Sequence, residues 1–363
     1  MKKVENIAHI NTTINIIYVL CLVMAAWGCT GNTDREHVFV FHDRLSQYDF
    51  FEGELSELRP AEGVLRYELN TPLFTDYAYK ARFIKVPKGQ SIEEKSGELI
   101  FPDGTVLIKN FYYHQDERSP EMGRRIIETR LLVKQDNRWK AGTYIWDDNQ
   151  AEAFKEILGA TKPVKWTDHQ GISQKIDYVI PDNNDCKSCH KKGGEIVPIG
   201  PKIANLNKMI HTGKKPLNQL QYLSAKGIIK GLEQIDQMPR LPVWDDSTGY
   251  TLNERARAYL DVNCGHCHNA AGPANNTALF LEFEQQDRFK LGICKGPVSA
   301  AQGSGNLKYD IVPGDPEASI LYYRMNSTAP GVIMPELGRT MIHSEGVELI
   351  KAWIENLEGE GCS

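Results

Sequence analysis

From about Leu45 to Ile180 the chain alternates apolar and polar residues in short runs. Val64-Leu65-Arg66-Tyr67-Glu68-Leu69 and Ala81-Arg82-Phe83-Ile84-Lys85-Val86 alternate roughly in and out, as half-buried strands do. Leu99-Ile100-Phe101 runs through Pro102-Asp103-Gly104 into the β-rich stretch Thr105 to Tyr113, and Asp-Gly between two such runs predicts a hairpin. Ile126 to Val133 and Trp139 to Trp146 predict a second hairpin, turning at Asp136-Asn137-Arg138. Residues 150–158 read as a short helix, and Ile176 to Ile180 as a closing strand. Several short strands separated by turn signals predict a sandwich or barrel-like all-β domain over 45–180.

After Asp185 the period changes. Residues 201–212 and 217–232 read as helices, the second carrying Leu217, Leu220, Leu223, Ile228 and Leu232. Leu252 to Val262 predicts a helix running directly into Cys264. Glu345 to Leu357 predicts another, capped by Ser344 and lined by Ile350, Trp353, Ile354 and Leu357. Tyr259 and Leu260 are expected to meet Trp353 and Ile354. Within the insertion 272–330, Asp315 and Pro316 are placed to start a helix carrying Ile320, Leu321 and Arg324. The expected architecture is multidomain α+β, an N-terminal all-β domain followed by two mainly α units at 181–248 and 249–363.

The first residues change the compartment. Lys2 and Lys3 precede the apolar run Ile16 to Trp27, which is short for a membrane span and reads as a signal peptide over 1–29. Gly28-Cys29 resembles a lipoprotein cleavage site, with Cys29 as the lipidated residue and 30–44 as a tether; an ordinary signal peptide or an uncleaved anchor are the alternatives. Each reading exports the chain, so a periplasmic or outer-envelope, membrane-anchored protein is expected. A net charge of −5 without a long basic run gives no sign of nucleic-acid binding. Of eight cysteines, Cys21 and Cys29 fall in the leader, and Cys294 and Cys362 form a candidate disulfide pair for an oxidising compartment.

The other four lie in Cys186-Lys187-Ser188-Cys189-His190 and Cys264-Gly265-His266-Cys267-His268. C-x-x-C-H is the attachment pattern of c-type haem. Two thiols at this spacing can each add to a vinyl group of one porphyrin, and the adjacent imidazole is held as the iron's proximal ligand. The expected cofactors are two covalently attached haem c groups, with His190 and His268 as metal ligands. Met238-Pro239 and Met334-Pro335 follow the two motifs in order, which makes Met238 and Met334 the candidate sixth ligands. Met209 competes for the first iron, and Met325 and Met341 for the second. His266 reads as an exposed side chain. Arg240 and Arg339 are candidate propionate contacts, or solvated arginines. A structural zinc reading fits poorly with export and with a Met-Pro after each motif.

Taken with these motifs, Asn70 to Ala78, Phe101 to Lys109, Glu128 to Val133, Tyr144 to Gln150, Ile199-Gly200-Pro201-Lys202, Asn263 to Asn269, Pro313 to Pro316 and Met334-Pro335 make the chain resemble a family of bacterial dihaem c-type cytochromes of unassigned role. The resemblance implies an exported or lipid-anchored protein and, as a partner, a parallel β-helix-repeat protein; redox donor and acceptor proteins are the other partners expected. The function expected is single-electron transfer through two His/Met haems. The alternative is a dihaem oxidoreductase, peroxidase-like, with one catalytic haem, and a weaker third reading is a ligand-binding lipoprotein whose haems sense.

Overall fold

The structure, a computed structural model, describes residues 40–211, 215–298, 301–359 and 361–362. The signal-peptide and lipidation readings at residues 1–29, with Cys21 and Cys29, lie outside the described residues, as does most of the 30–44 tether. Phe41–Ser363 forms one compact unit.

Its centre is a six-stranded antiparallel meander: β1 (Val64–Tyr67), β2 (Tyr79–Lys85), β3 (Val106–His114), β4 (Arg124–Gln135), β5 (Arg138–Trp146) and β6 (Ala153–Glu156), each paired with the next. Chain order equals sheet order, so every pairing is local and closes a short loop. The β4–β5 turn falls at Asp136 and Asn137, both with φ above +50°. Two consecutive positive φ values match the twist of the flanking strands, and Asp and Asn tolerate them better than most residues. The other expected hairpin does not form. Glu98–Ile100 pairs instead with Ile92–Lys95, while β3 pairs with β2 and β4.

One sheet face is covered at its two ends and open between them. At one end Tyr67, Ile84, Leu107 and Trp139 pack with Ile203, Leu206, Leu220, Leu223 and Ile229. At the other, Phe111, Tyr113 and Ile127 pack with Val164, Trp166, Tyr178 and Ile180 from the hairpin β7 (Ala160–Thr167) and β8 (Ser173–Ile180). Each fully buried side chain of this size contributes on the order of 1.5–3 kcal/mol.

The expected architecture needs correction. The described residues are mainly β, and their six α-helices are short: α1 (Asn183–His190), α2 (Ile203–Leu206), α3 (Gln219–Ala225), α4 (Leu252–Leu260), α5 (Ile320–Met325) and α6 (Ser344–Glu355). Two mainly α haem domains are absent among them. The helices expected over 201–212 and 217–232 shrink to α2 and α3, with short strands at Met209–His211, Pro216–Asn218 and Ile229–Lys230. The reason is local. Pro216 interrupts the pattern, Gly227 and Gly231 adopt positive φ, and buried Asn205, Asn207, Asn218 and Gln219 spend their amides on backbone and side-chain partners outside helical ladders. Residues 150–158 contain edge strand β6 rather than a helix. α5 starts at Ile320, well after Asp315, and α6 is entered from His343 with no side-chain cap from Ser344.

α4 has a capping box, with Thr251 Oγ1 accepting from the Glu254 amide and the Glu254 carboxylate accepting from the Thr251 amide. It continues as a π-turn over Asp261–Gly265 into the second motif. Tyr259, Leu260, Trp353 and Ile354 share one core cluster. Cys294 and Cys362 form a disulfide.

A short segment after β1 ties these parts together. Asn70 donates through Nδ2 to the carbonyls of Ala204 and Asn207, and the Thr71 amide donates to Asn205 Oδ1. Asp76, only 2% exposed, accepts from the amides of Thr340 and Met341 at 2.7 Å each and from Thr340 Oγ1 at 3.0 Å. Asp76→Ala strands two backbone donors and is expected to lower unfolding free energy by about 3 kcal/mol, measured by urea denaturation. A loss below about 0.5 kcal/mol would show that this tie is not structural.

Candidate functional site

The first motif is built on α1. Asp182 caps the helix, accepting from the amides of Asn184 and Asp185. Cys186, Cys189 and His190 are then spaced i, i+3 and i+4, which places them on one helix side. All three line a cleft of about 1570 Å³, part of it open to solvent. His190 Nδ1 lies 2.8 Å from the Val197 carbonyl. A carbonyl only accepts, so Nδ1 carries the proton and Nε2 keeps its lone pair.

The second motif presents its histidine in the same way. His268 Nδ1 is 3.4 Å from Thr277 Oγ1, and that hydroxyl donates its single proton to the Ala274 carbonyl at 2.7 Å. The hydroxyl therefore accepts from Nδ1, again leaving Nε2 with the lone pair. His268 lines a second, smaller cavity of about 600 Å³ together with Cys264, Arg324 and Met334. Burial pushes both imidazoles down to about 4, so both are neutral, the ligating form.

The two motifs adjoin. The Gly193 amide, just past α1, donates to the Ala271 carbonyl at 3.0 Å, just past the second motif. Cys264 and Met334 line both cavities. The four motif cysteines are free thiols. Burial raises them all, Cys264 and Cys267 to about 12. A redox-active C-x-x-C needs a lowered thiol pKa, so thiol–disulfide exchange is disfavoured. Cys267 is the one motif thiol on the lining of neither cavity.

The other sequence-derived candidates separate. Met334 sits on the cavity of His268 and on that of His190 as well. Met238 lies away from both, packed against the Leu206–Leu220–Leu223 cluster. Arg240 is exposed and lines neither cavity. Arg339 is buried on the large cleft, but its guanidinium is committed to backbone carbonyls, including Met325, Met334 and Met341 at 2.8–3.0 Å. It braces the Met334 loop. His266, read as exposed, lines the large cleft with its Nδ1 directed to the Val262 carbonyl. Met325 is on the same cleft, Met341 belongs to the β7–β8 cluster, and Met209 is exposed.

One feature was not singled out from the sequence. Tyr67, Arg82, Lys109, Arg130 and Thr143 are successive cross-strand partners on β1 to β5, and all five line the large cleft. The available signal was parity. Arg82, Lys109 and Arg130 sit two residues from Ile84, Leu107 and Leu132, on the covered face. Arg130 is paired with Glu128, which is fully buried, through contacts of 2.6 and 2.8 Å, and Tyr178 donates to the same carboxylate at 2.7 Å.

No family model, curated protein or solved structure matches this chain. Membership of the dihaem c-type cytochrome family, suggested by the motifs, is therefore not supported. The mainly β architecture lacks the two α units that it implied, and among the described residues no group of three or more His, Cys, Asp or Glu side chains is placed to hold a metal ion. No helix among them is long and apolar enough to cross a membrane.

The residues at the large cleft nevertheless fit a flat, anionic, covalently held group. Two thiols and an imidazole with a free Nε2 share one helix side. Thr143 Oγ1 is buried on the cleft wall without a hydrogen-bond partner, approached only by the Cys186 thiol. Glu128→Gln removes the counter-charge of Arg130 and is expected to cost about 3–5 kcal/mol of stability, read by urea denaturation. Tyr178→Phe, which deletes one hydrogen bond, is expected to cost about 1 kcal/mol in the same assay.

Proposed function

We propose that this protein carries covalently attached haem at Cys186–His190 and Cys264–His268 and transfers single electrons. The observation that carries the reading is the shared wall. Two attachment motifs, each with a neutral histidine presenting Nε2, open on cavities that have Cys264 and Met334 in common. The reading rests on this attachment chemistry and not on membership of a family.

A bound haem supplies a one-electron iron couple, and Met or His as sixth ligand closes it as a carrier. The chain's residues supply the rest. Val197 and the Thr277 hydroxyl orient the histidines, Arg339 holds the Met334 loop, and the walls of the smaller cavity limit water. His268 and Met334 face one cavity and form the ligand pair proposed for the second iron. Export through the leader, lipid anchoring at Cys29 and contact with redox donor and acceptor proteins belong to the same proposal.

One observation favours a second reading. Met238 is absent from the cleft of His190, so the first iron lacks the ligand expected to close it. Unless Met325, Met334 or His266 on the same cleft closes it, that iron would be open to an external ligand, as in a dihaem oxidoreductase with one catalytic haem.

The exported protein should stain for haem on a denaturing gel. Cys186→Ser with Cys189→Ser should remove half of the covalent haem, and Cys264→Ser with Cys267→Ser the other half. Absence of covalent haem from the wild-type chain would sink the proposal. Met334→Ala should abolish the weak thioether–iron charge-transfer band, while Met238→Ala should leave it intact. Cyanide binding to one of the two ferric haems at micromolar ligand would mark the catalytic reading; binding to neither marks the carrier.

A further inference from the structure

The cross-strand row on the floor of the large cleft poses an electrostatic problem. Arg82 opposes Lys109, and Lys109 opposes Arg130. Directly opposed residues on neighbouring strands have Cβ atoms about 4.5–5.5 Å apart, and like charges there are destabilising. Glu128 makes its direct ion pair with Arg130 and reaches Lys109 only through space. Arg82 is 8% exposed, and its guanidinium has no hydrogen bond or ion pair among the described residues. Lys109 makes only a cation–π contact, its Nζ 4.6 Å from the Phe111 ring centroid. Lys80, on the same face one row away, adds a further cation 6.0 Å from the same ring.

Buried cations without partners cost stability unless an anion joins them. The row lines the same cleft as Cys186, Cys189 and His190, together with the unpartnered hydroxyl of Thr143. Arg82 offers a planar fork suited to a carboxylate, Lys109 a point charge, and Thr143 a neutral donor. Leu69, Leu107, Leu131 and Leu132 flank the pair on the cleft lining.

We infer that Arg82 and Lys109 form a carboxylate-binding site on the floor of the cleft facing His190. The carboxylates have two chemical sources. One is the propionates of the porphyrin held at Cys186 and Cys189, in which case the inference rests on the proposed function. The other is a free dicarboxylate entering from the solvent-open side.

The experiment uses the full-length exported protein and Arg82→Gln, Lys109→Met and Arg82→Lys variants. Haem content, midpoint potentials and calorimetric titration with succinate are measured on each. A cation beside the porphyrin disfavours the oxidised iron, so removing one lowers the potential. With propionates as the source, Arg82→Gln and Lys109→Met each shift one haem by about tenfold in its reduced-to-oxidised ratio, about 59 mV for one electron. Arg82→Lys keeps the wild-type value, and succinate does not bind. With a free dicarboxylate as the source, succinate binds wild type and loses affinity at least tenfold in both charge-deleting variants, while the potentials stay put. Unchanged potentials together with no succinate binding overturn the site. A wild-type chain without haem defeats the proposed function, and succinate titration then decides the row alone. Should Arg82→Gln fail to fold, Lys109→Met, which conserves bulk, carries the same reading.

Discussion

The segment 70–76 is the constraint on which the rest of the structure depends. It leaves β1 and, within seven residues, bonds to Asn205 and Asn207, to the Pro242 carbonyl through Thr71, to Asn263 just before the second motif, and to Thr340 and Met341 just after Met334. These partners come from four stretches far apart in the chain. Each bond is buried or half-buried, where an unmade bond costs more than a made one contributes. The network therefore specifies arrangement more than it supplies net stability. It seats the second C-x-x-C-H segment and the Met334 loop against the sheet with little freedom to slide. The π-turn at Asp261–Gly265 is held in the same way, with Asn263 bridging Phe74 and the Tyr259 carbonyl.

The covered face of the sheet has three zones. Apolar zones at the two ends are sealed by α2 and α3 and by the β7–β8 hairpin. The middle zone is cationic and faces the cleft. A sheet with only apolar residues here would collapse its covers together, because nothing would oppose closure. Charged side chains keep the middle open, since burying them without counter-ions costs several kcal/mol each. Glu128, fully buried between Arg130 and Tyr178, marks the boundary at which protein groups again satisfy one another.

Much of the sheet was legible from alternation alone, because local antiparallel pairing writes a period of two directly into the chain. The β4–β5 hairpin was readable from Asp136-Asn137, and α4 and α6 from their apolar stripes. The helices expected over 201–232 were not, because apolar spacing there came from residues facing different neighbours across short strands. Asn205, Asn207 and Gln219 decide that region, and their buried bonds reach residues 68–71, a partnership no local pattern reveals. At the site, the motif residues were evident from spacing. Met238 follows His190 in sequence yet packs against the Leu206–Leu220–Leu223 cluster, because sequence order says nothing of distance. Arg339 was read by charge, whereas its role is to gather carbonyls. The Arg82–Lys109–Arg130 row spans three strands 21 to 27 residues apart, so it exists only once the register is known.

The adjacency of the motifs alters what the two sites mean. Separate haem units, one per domain, would have been joined by a linker and free to differ in orientation. Here Gly193 bonds directly to Ala271, and Cys264 and Met334 belong to both cavities. On the proposed reading, a change at one site must be felt at the other through shared side chains, not through solvent. Charge on one group acts on its neighbour across buried protein, where the effective dielectric is about 20 or lower instead of about 80. The Arg82–Lys109–Arg130 row lines the cleft of His190, while Lys295, Asp310 and Arg324 line the cavity of His268, so the two histidines sit in differently charged surroundings set by different parts of the fold.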